Sequence, residues 1–120
     1  MYIENTGIEN IVANLSVIDE IMLKYDMVRG GQWDYERVTY DKKYVLKEGT
    51  FYLRVFGYTT NGDVDTRDAT MILKQPVVGK YYYPHGVEYG EGEDFPASLV
   101  KDCEKTLKLA NEALLPYNMK

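Results

Sequence analysis

The stretch Val38-Thr39-Tyr40-Asp41-Lys42-Lys43-Tyr44-Val45-Leu46-Lys47-Glu48-Gly49-Thr50-Phe51-Tyr52-Leu53-Arg54-Val55-Phe56-Gly57-Tyr58 decides the fold. β-Branched and aromatic residues run through Gln32 to Tyr44 and Thr50 to Thr60, on either side of a polar, glycine-ended connection. That pattern reads as two long antiparallel strands. Lys47-Glu48-Gly49 suits a three-residue loop with a left-handed glycine. In that register Tyr44 lies opposite Tyr52, Tyr40 opposite Phe56 and Val38 opposite Tyr58. The result is a ladder of rings on one face of the sheet.

Beyond Thr60, Asn61-Gly62 has the residue types of a two-residue type I′ turn, which predicts a third strand over Val64 to Lys74. This hairpin sets Met71 beside Tyr52, Ala69 beside Arg54, Arg67 beside Phe56 and Asp65 beside Tyr58. Lys42, Arg54 and Arg67 then stand among the rings, while Val45, Phe51, Leu53, Val55, Val64 and Ile72 form the other, aliphatic face. Helices are expected to cover the aliphatic face.

Glu9 to Leu15 reads as a short strand that hands over to a helix capped by Ser16, with Val17, Ile18, Ile21, Met22 and Tyr25 at helical spacing and an end near Asp26. After Pro76 a strand is expected over Val77 to Tyr83. Pro84 stops it, because proline has no amide for a ladder, and the chain then runs irregularly to Pro96. Leu99, Cys103, Leu107, Ala110 and Leu114 form one stripe of a helix over Ala97 to Leu115, ended by Pro116. The order β-α-β-β-β-β-α describes a single two-layer α+β domain over residues 1–120, a mostly antiparallel sheet of four to five strands with two helices on one face.

The 120 residues suffice for one hydrophobic core without a metal or a disulfide. Apolar residues make up 45%, and no run approaches the roughly 20 apolar residues that cross a bilayer. Met1-Tyr2-Ile3-Glu4-Asn5-Thr6-Gly7 lacks the basic start of an export signal, and a lone cysteine cannot form an internal disulfide, so the expected compartment is the cytoplasm. The net charge of -5 argues against nucleic acid or an anionic membrane as partner, since both are bound by surplus Lys and Arg.

Three segments carry a family likeness: Gly31-Gln32-Trp33-Asp34-Tyr35-Glu36-Arg37-Val38-Thr39-Tyr40-Asp41, Tyr52-Leu53-Arg54-Val55-Phe56-Gly57-Tyr58, and Tyr82-Tyr83-Pro84-His85-Gly86-Val87-Glu88-Tyr89-Gly90-Glu91-Gly92-Glu93. Through them the chain resembles the YugN-like family of small uncharacterised bacterial cytosolic proteins over nearly its whole length. The resemblance implies a small α+β domain in a bacterial cytosol, and it supplies no catalytic residue.

His85, Glu88 and Glu91 have the residue types of a metal site or a general acid-base pair. Their spacing has geometric meaning only on a helix, which Pro84, Gly86, Gly90 and Gly92 oppose, so no metal and no catalytic residue is assigned. Gly90-Glu91-Gly92 fails as a phosphate cradle because Glu93 and Asp94 repel the anion. Asp63, Asp65 and Asp68 fail as a calcium loop, having Asp68 and Lys74 where glycine and glutamate are required. Cys103, on the apolar helix stripe, reads as packing, and Trp33 as a core edge. No cofactor is called for.

The face of Tyr40, Tyr44, Tyr52, Arg54, Phe56, Tyr58 and Arg67 is the candidate interaction surface, since tyrosine and arginine bury area while keeping a polar end. It is covered either by the chain's own segment after Pro76, including the acidic 86–94 loop, or by a partner. The expectation is a non-enzymatic homodimer or protein-binding module whose Arg54 and Arg67 select carboxylates. The alternative is a small-molecule-binding protein or enzyme with a pocket beneath the 79–96 segment, using His85, Glu88 and Glu91.

Overall fold

The computed structural model describes residues 1–30, 35–64, 69–90 and 93–120. The order along the chain is β1 (Val12–Asn14), α1 (Leu15–Lys24), β2 (Val28–Arg29), β3 (Arg37–Leu46), β4 (Gly49–Asn61), β5 (Thr70–Leu73), β6 (Val77–Tyr82), β7 (Gly86–Glu88) and α2 (Ala97–Leu114), followed by a 3-10 turn, Leu115–Tyr117. The class is α+β, as the pattern predicts, with seven strands among the described residues rather than four or five. Two short edge strands escape the sequence reading. β2 has only two residues, and β7 lies in the segment after Pro84 that was expected to be irregular.

Strand β4 is the spine. One of its edges pairs with β3 over the full length of that strand. The other edge forks, Phe51 to Arg54 pairing with β6 and Gly57 to Asn61 with β5. β1 lies outside β5, β2 outside β3 and β7 outside β6, every pair antiparallel. Period-two alternation on β4 buries Phe51, Leu53 and Val55 and leaves Tyr52, Arg54 and Phe56 partly exposed on the other face.

Both hairpin registers differ from those expected. Leu46 pairs with Gly49, so the β3–β4 connection is Lys47-Glu48 alone, and Tyr44 sits opposite Phe51 and Tyr40 opposite Val55. A slip of one residue turns every β3 side chain to the other face relative to β4. In the second hairpin Gly62 has the expected positive φ of 80°, yet pairing resumes only at Asn61 with Thr70 and Tyr58 with Ile72, after an irregularity between Thr59 and Asn61. Met71 is thereby buried in the core and Ile72 is turned to the opposite face. Of the aliphatic set expected under the helices, Phe51, Leu53, Val55 and Val64 are buried, whereas Val45 is exposed.

α1 begins one residue before Ser16. Asn14 is the cap, its Oδ1 accepting from the Ser16 amide at 2.9 Å, and Asp26 beyond the helix takes a left-handed φ of 65°. α2 buries the expected stripe, Leu99, Cys103, Leu107, Ala110 and Leu114, together with Thr106. Ile18 and Met22 of α1 join that stripe in one core with Val38, Tyr40, Phe51, Leu53, Val55, Met71, Leu73 and Val78, so both helices lie on the same face of the sheet. At the outer edge the Met119 amide donates to Val12 O at 2.7 Å, and the Val12 amide to Asn118 Oδ1 at 3.0 Å.

Candidate binding surface on the open face of the sheet

The register divides the expected interaction set between two faces. Tyr40 is buried beneath α1, its phenol donating to Asp19 Oδ1 at 2.6 Å. Tyr44 donates to Asp102 Oδ2 of α2 at 2.6 Å, and Lys42 Nζ donates to the same oxygen at 3.2 Å and to Thr106 Oγ1 at 3.0 Å. Burial, then the bond to Asp19, raises the Tyr40 pKa, and burial, then the bond to Asp102, raises that of Tyr44. The Tyr44 hydrogen bond in turn holds the Asp102 carboxyl below its ordinary value. These groups tie the helices to the sheet, with the Asp102 carboxylate left half-exposed. Cys103 lies beside them with its thiol pushed up to about 11, chiefly by burial, which is the environment of an inert packing thiol.

The open face keeps Tyr52, Arg54, Phe56 and Tyr58 of β4. Arg54 is spoken for within the chain. Its Nε and Nη2 donate to the two oxygens of Asp41, directly opposite on β3, at 2.7 and 2.8 Å, and its Nη1 donates to the Tyr89 phenol oxygen at 2.7 Å. This two-point pairing raises the Arg54 pKa, and burial raises that of Tyr89 against the pull of the guanidinium. Arg54 therefore does not stand ready to select a partner's carboxylate, as the sequence reading expects. Arg67 lies outside the described residues.

Tyr89 reaches Arg54 because the β6–β7 hairpin curls over the open face. A Cβ on Gly79 would stand 2.4 Å from Val87 Cγ1 and 2.6 Å from Tyr89 Cδ1, so only glycine lets β6 pass beneath those side chains. The chain's own segment after Pro76 thus covers part of the face. Tyr52 remains against Tyr81, ring centroids 6.2 Å apart at 75°. Tyr58 is 38% exposed and Phe56 half-buried.

Between this curled hairpin and the sheet lies a cleft of about 390 Å³ lined by Met1, Tyr2, Phe56, Val77, Tyr89 and Gly90. Tyr2 is placed there by a bridge to Val77, and the Met1 amine donates to Val78 O and Tyr89 O. A pocket beneath the 79–96 segment therefore exists, with walls other than those expected: His85 and Glu88 are exposed and do not line it, and Glu91 is outside the described residues. Trp33, Asp65 and Asp68 also lie outside them. Two polar hollows of about 480 and 460 Å³ flank Asn5, Thr6 and Gly7, and Asn111 Oδ1 is buried there without a hydrogen bond. Among the described residues no three of His, Cys, Asp or Glu are grouped to hold a metal, and no helix is long and apolar enough to cross a membrane.

Sequence reasoning passes over Asp41, Val77 and Tyr89. The signal for Asp41 is present, since in the observed register it faces Arg54 directly. Tyr89 offers none, because its contact depends on the curl of a hairpin that local patterning leaves unread.

The chain is 54% identical over 95 residues, 79% of each protein, to the uncharacterized protein YlbA of Bacillus subtilis (strain 168). It is 53% identical to the uncharacterized conserved protein YugN of Geobacillus kaustophilus HTA426, whose crystal structure matches with a TM-score of 0.83 over 95% of this chain and 94% of that one. Residues 4–107 match the YugN-like family, and with relatives this similar in both sequence and structure the chain belongs to that family.

Proposed function

We propose that this protein is a non-enzymatic bacterial association module, working in the cytoplasm, that pairs with a second copy of itself through what remains of its aromatic sheet face. The supporting observation is the combination of Tyr52, Phe56 and Tyr58 on the side away from both helices with the internal neutralisation of Arg54 by Asp41. Two copies of a chain with net charge -5 repel, and they meet at lower electrostatic cost where each surface is aromatic and its Arg54 is already paired with Asp41. A two-fold contact then sets the same patch against itself. The test is light scattering over a range of concentrations: the unmodified chain is expected to be dimeric and Tyr58→Glu monomeric. A strict monomer at every concentration rejects the reading. Arg54→Glu is unsuited to this purpose, because it breaks a contact inside the monomer.

A second reading is favoured by the cleft. Its size falls in the range of small-molecule sites, it is concave, and it lies where an irregular segment crosses a rigid sheet. On this reading the protein binds a small molecule between Tyr89 and the sheet, and soaking or titration with small organic probes tests it.

A further inference from the structure

We propose that the cleft between Tyr2, Phe56 and Tyr89 receives the Tyr83 ring of a second copy, each copy of a two-fold dimer filling the other's cleft, an inference that rests on the self-association reading. Tyr83 stands in the turn between β6 and β7 and is 85% exposed, the highest value for a large hydrophobic side chain among the described residues. A ring left this far in water has its burial still to gain. The cleft supplies the matching concavity, about 390 Å³ lined by Tyr2, Phe56 and Tyr89 together with the buried Val77.

The ring and the cleft of one chain cannot meet. Six residues of extended chain separate Val77 from Tyr83, a span of about 20 Å. Two facing copies whose β6–β7 hairpins run antiparallel make both contacts at once, since the two-fold axis then passes near the middle of β6 and lays each turn over the other's cleft. Tyr81, which packs against Tyr52 of β4, falls close to that axis.

The Met1 amine donates to Val78 O and Tyr89 O beside the cleft, and tyrosine suits that neighbour: its ring face attracts a cation and its phenol oxygen accepts a hydrogen bond. Each ring that enters a cleft buries about 150–250 Å² and covers a similar area of wall, so the reciprocal pair accounts for about 600–1,000 Å². With Tyr52 and Tyr81 between the two contacts, the interface approaches the roughly 1,200 Å² at which specific association begins.

Light scattering and sedimentation velocity over a range of concentrations compare the unmodified chain with Tyr83→Ala, Tyr83→Phe and Gly90→Leu. Tyr83 is exposed and an added Cβ on Gly90 meets nothing within 4 Å, so circular dichroism should show all three variants folded. Tyr83→Ala removes both rings and should weaken dimerisation roughly 1,000-fold, about 30-fold for each contact. Tyr83→Phe keeps the rings and should weaken it about 10-fold or less. Gly90→Leu fills both clefts and should be monomeric. A mixture of Tyr83→Ala with Gly90→Leu keeps one ring and one open cleft, and should form a heterodimer about 30-fold weaker than the unmodified pair. A dimer indifferent to Tyr83→Ala, or a mixture that does not associate at that strength, overturns the exchange while self-association stands. A strict monomer of the unmodified chain at every concentration overturns both.

Discussion

The Tyr44 phenol and the Asp102 carboxylate meet across 2.6 Å, joining the later half of β3 to the second turn of α2. Lys42 completes the cluster from the same strand face, and Cys103 is the next residue of the helix. Helix placement over the sheet is thus set by polar contacts as well as by the apolar stripe.

Tyr44→Phe is expected to lower stability by about 1 kcal/mol, a charge-assisted hydrogen bond discounted for the half-exposed Asp102 carboxylate. Because the folded protein holds the Asp102 carboxyl below its ordinary value, the pairing stabilises fully above the ordinary carboxylate range and fades as pH falls through the lower, folded value. Asp102→Asn should therefore show a shallower loss of stability between about pH 5 and pH 2 than the unmodified chain. Urea midpoints measured across that interval check both points.

Arg54→Met keeps the apolar stem but leaves the Asp41 carboxylate unpaired in a partly buried position. The expected cost is about 2 kcal/mol, and adding Asp41→Asn should return about half of it, a coupling read from a double-mutant cycle. Tyr89→Phe in the same background series should cost less than about 1 kcal/mol, since the stronger partner of the guanidinium is untouched. Additive effects of Arg54→Met and Asp41→Asn would refute the pairing.

Cys103 should resist thiol reagents in the folded state. With its pKa pushed up from 9.0 to about 11, the thiolate population near pH 8 is about 100-fold below that of a free thiol, before shielding by the core is counted. Folding holds the protonated form, so this group's contribution to stability is complete below the unfolded value and is lost as pH rises toward 11. Reaction with a disulfide reagent at pH 8, with and without urea, measures the contrast. Rapid labelling without urea would contradict it.

α2 was legible almost to the residue because its apolar stripe has a single period and prolines stand at both ends. β4 was legible for a related reason, its alternation of Phe51, Leu53 and Val55 with Tyr52, Arg54 and Phe56. β3 was not, since tyrosine suits either side of a sheet, and Tyr40 and Tyr44 alternate with residues no more decisive. What fixes their side is the carboxylates of Asp19 and Asp102, on helices distant in sequence. A strong local turn signal at Asn61-Gly62 likewise marked the bend correctly and the pairing wrongly, because bulge and loop length are settled by where Met71 and Leu73 can be buried. The candidate surface inherited these errors: its β4 members stand together, and its β3 members do not.

The fork in β4 has a mechanical meaning. One continuous strand is the common wall of two wings, β6–β7 toward one end and β5–β1 toward the other, with β3 bracing the whole. Among the described residues neither wing has another strand to lean on, so loosening that wall unseats both together, and the molecule is built to come apart as one body rather than in stages.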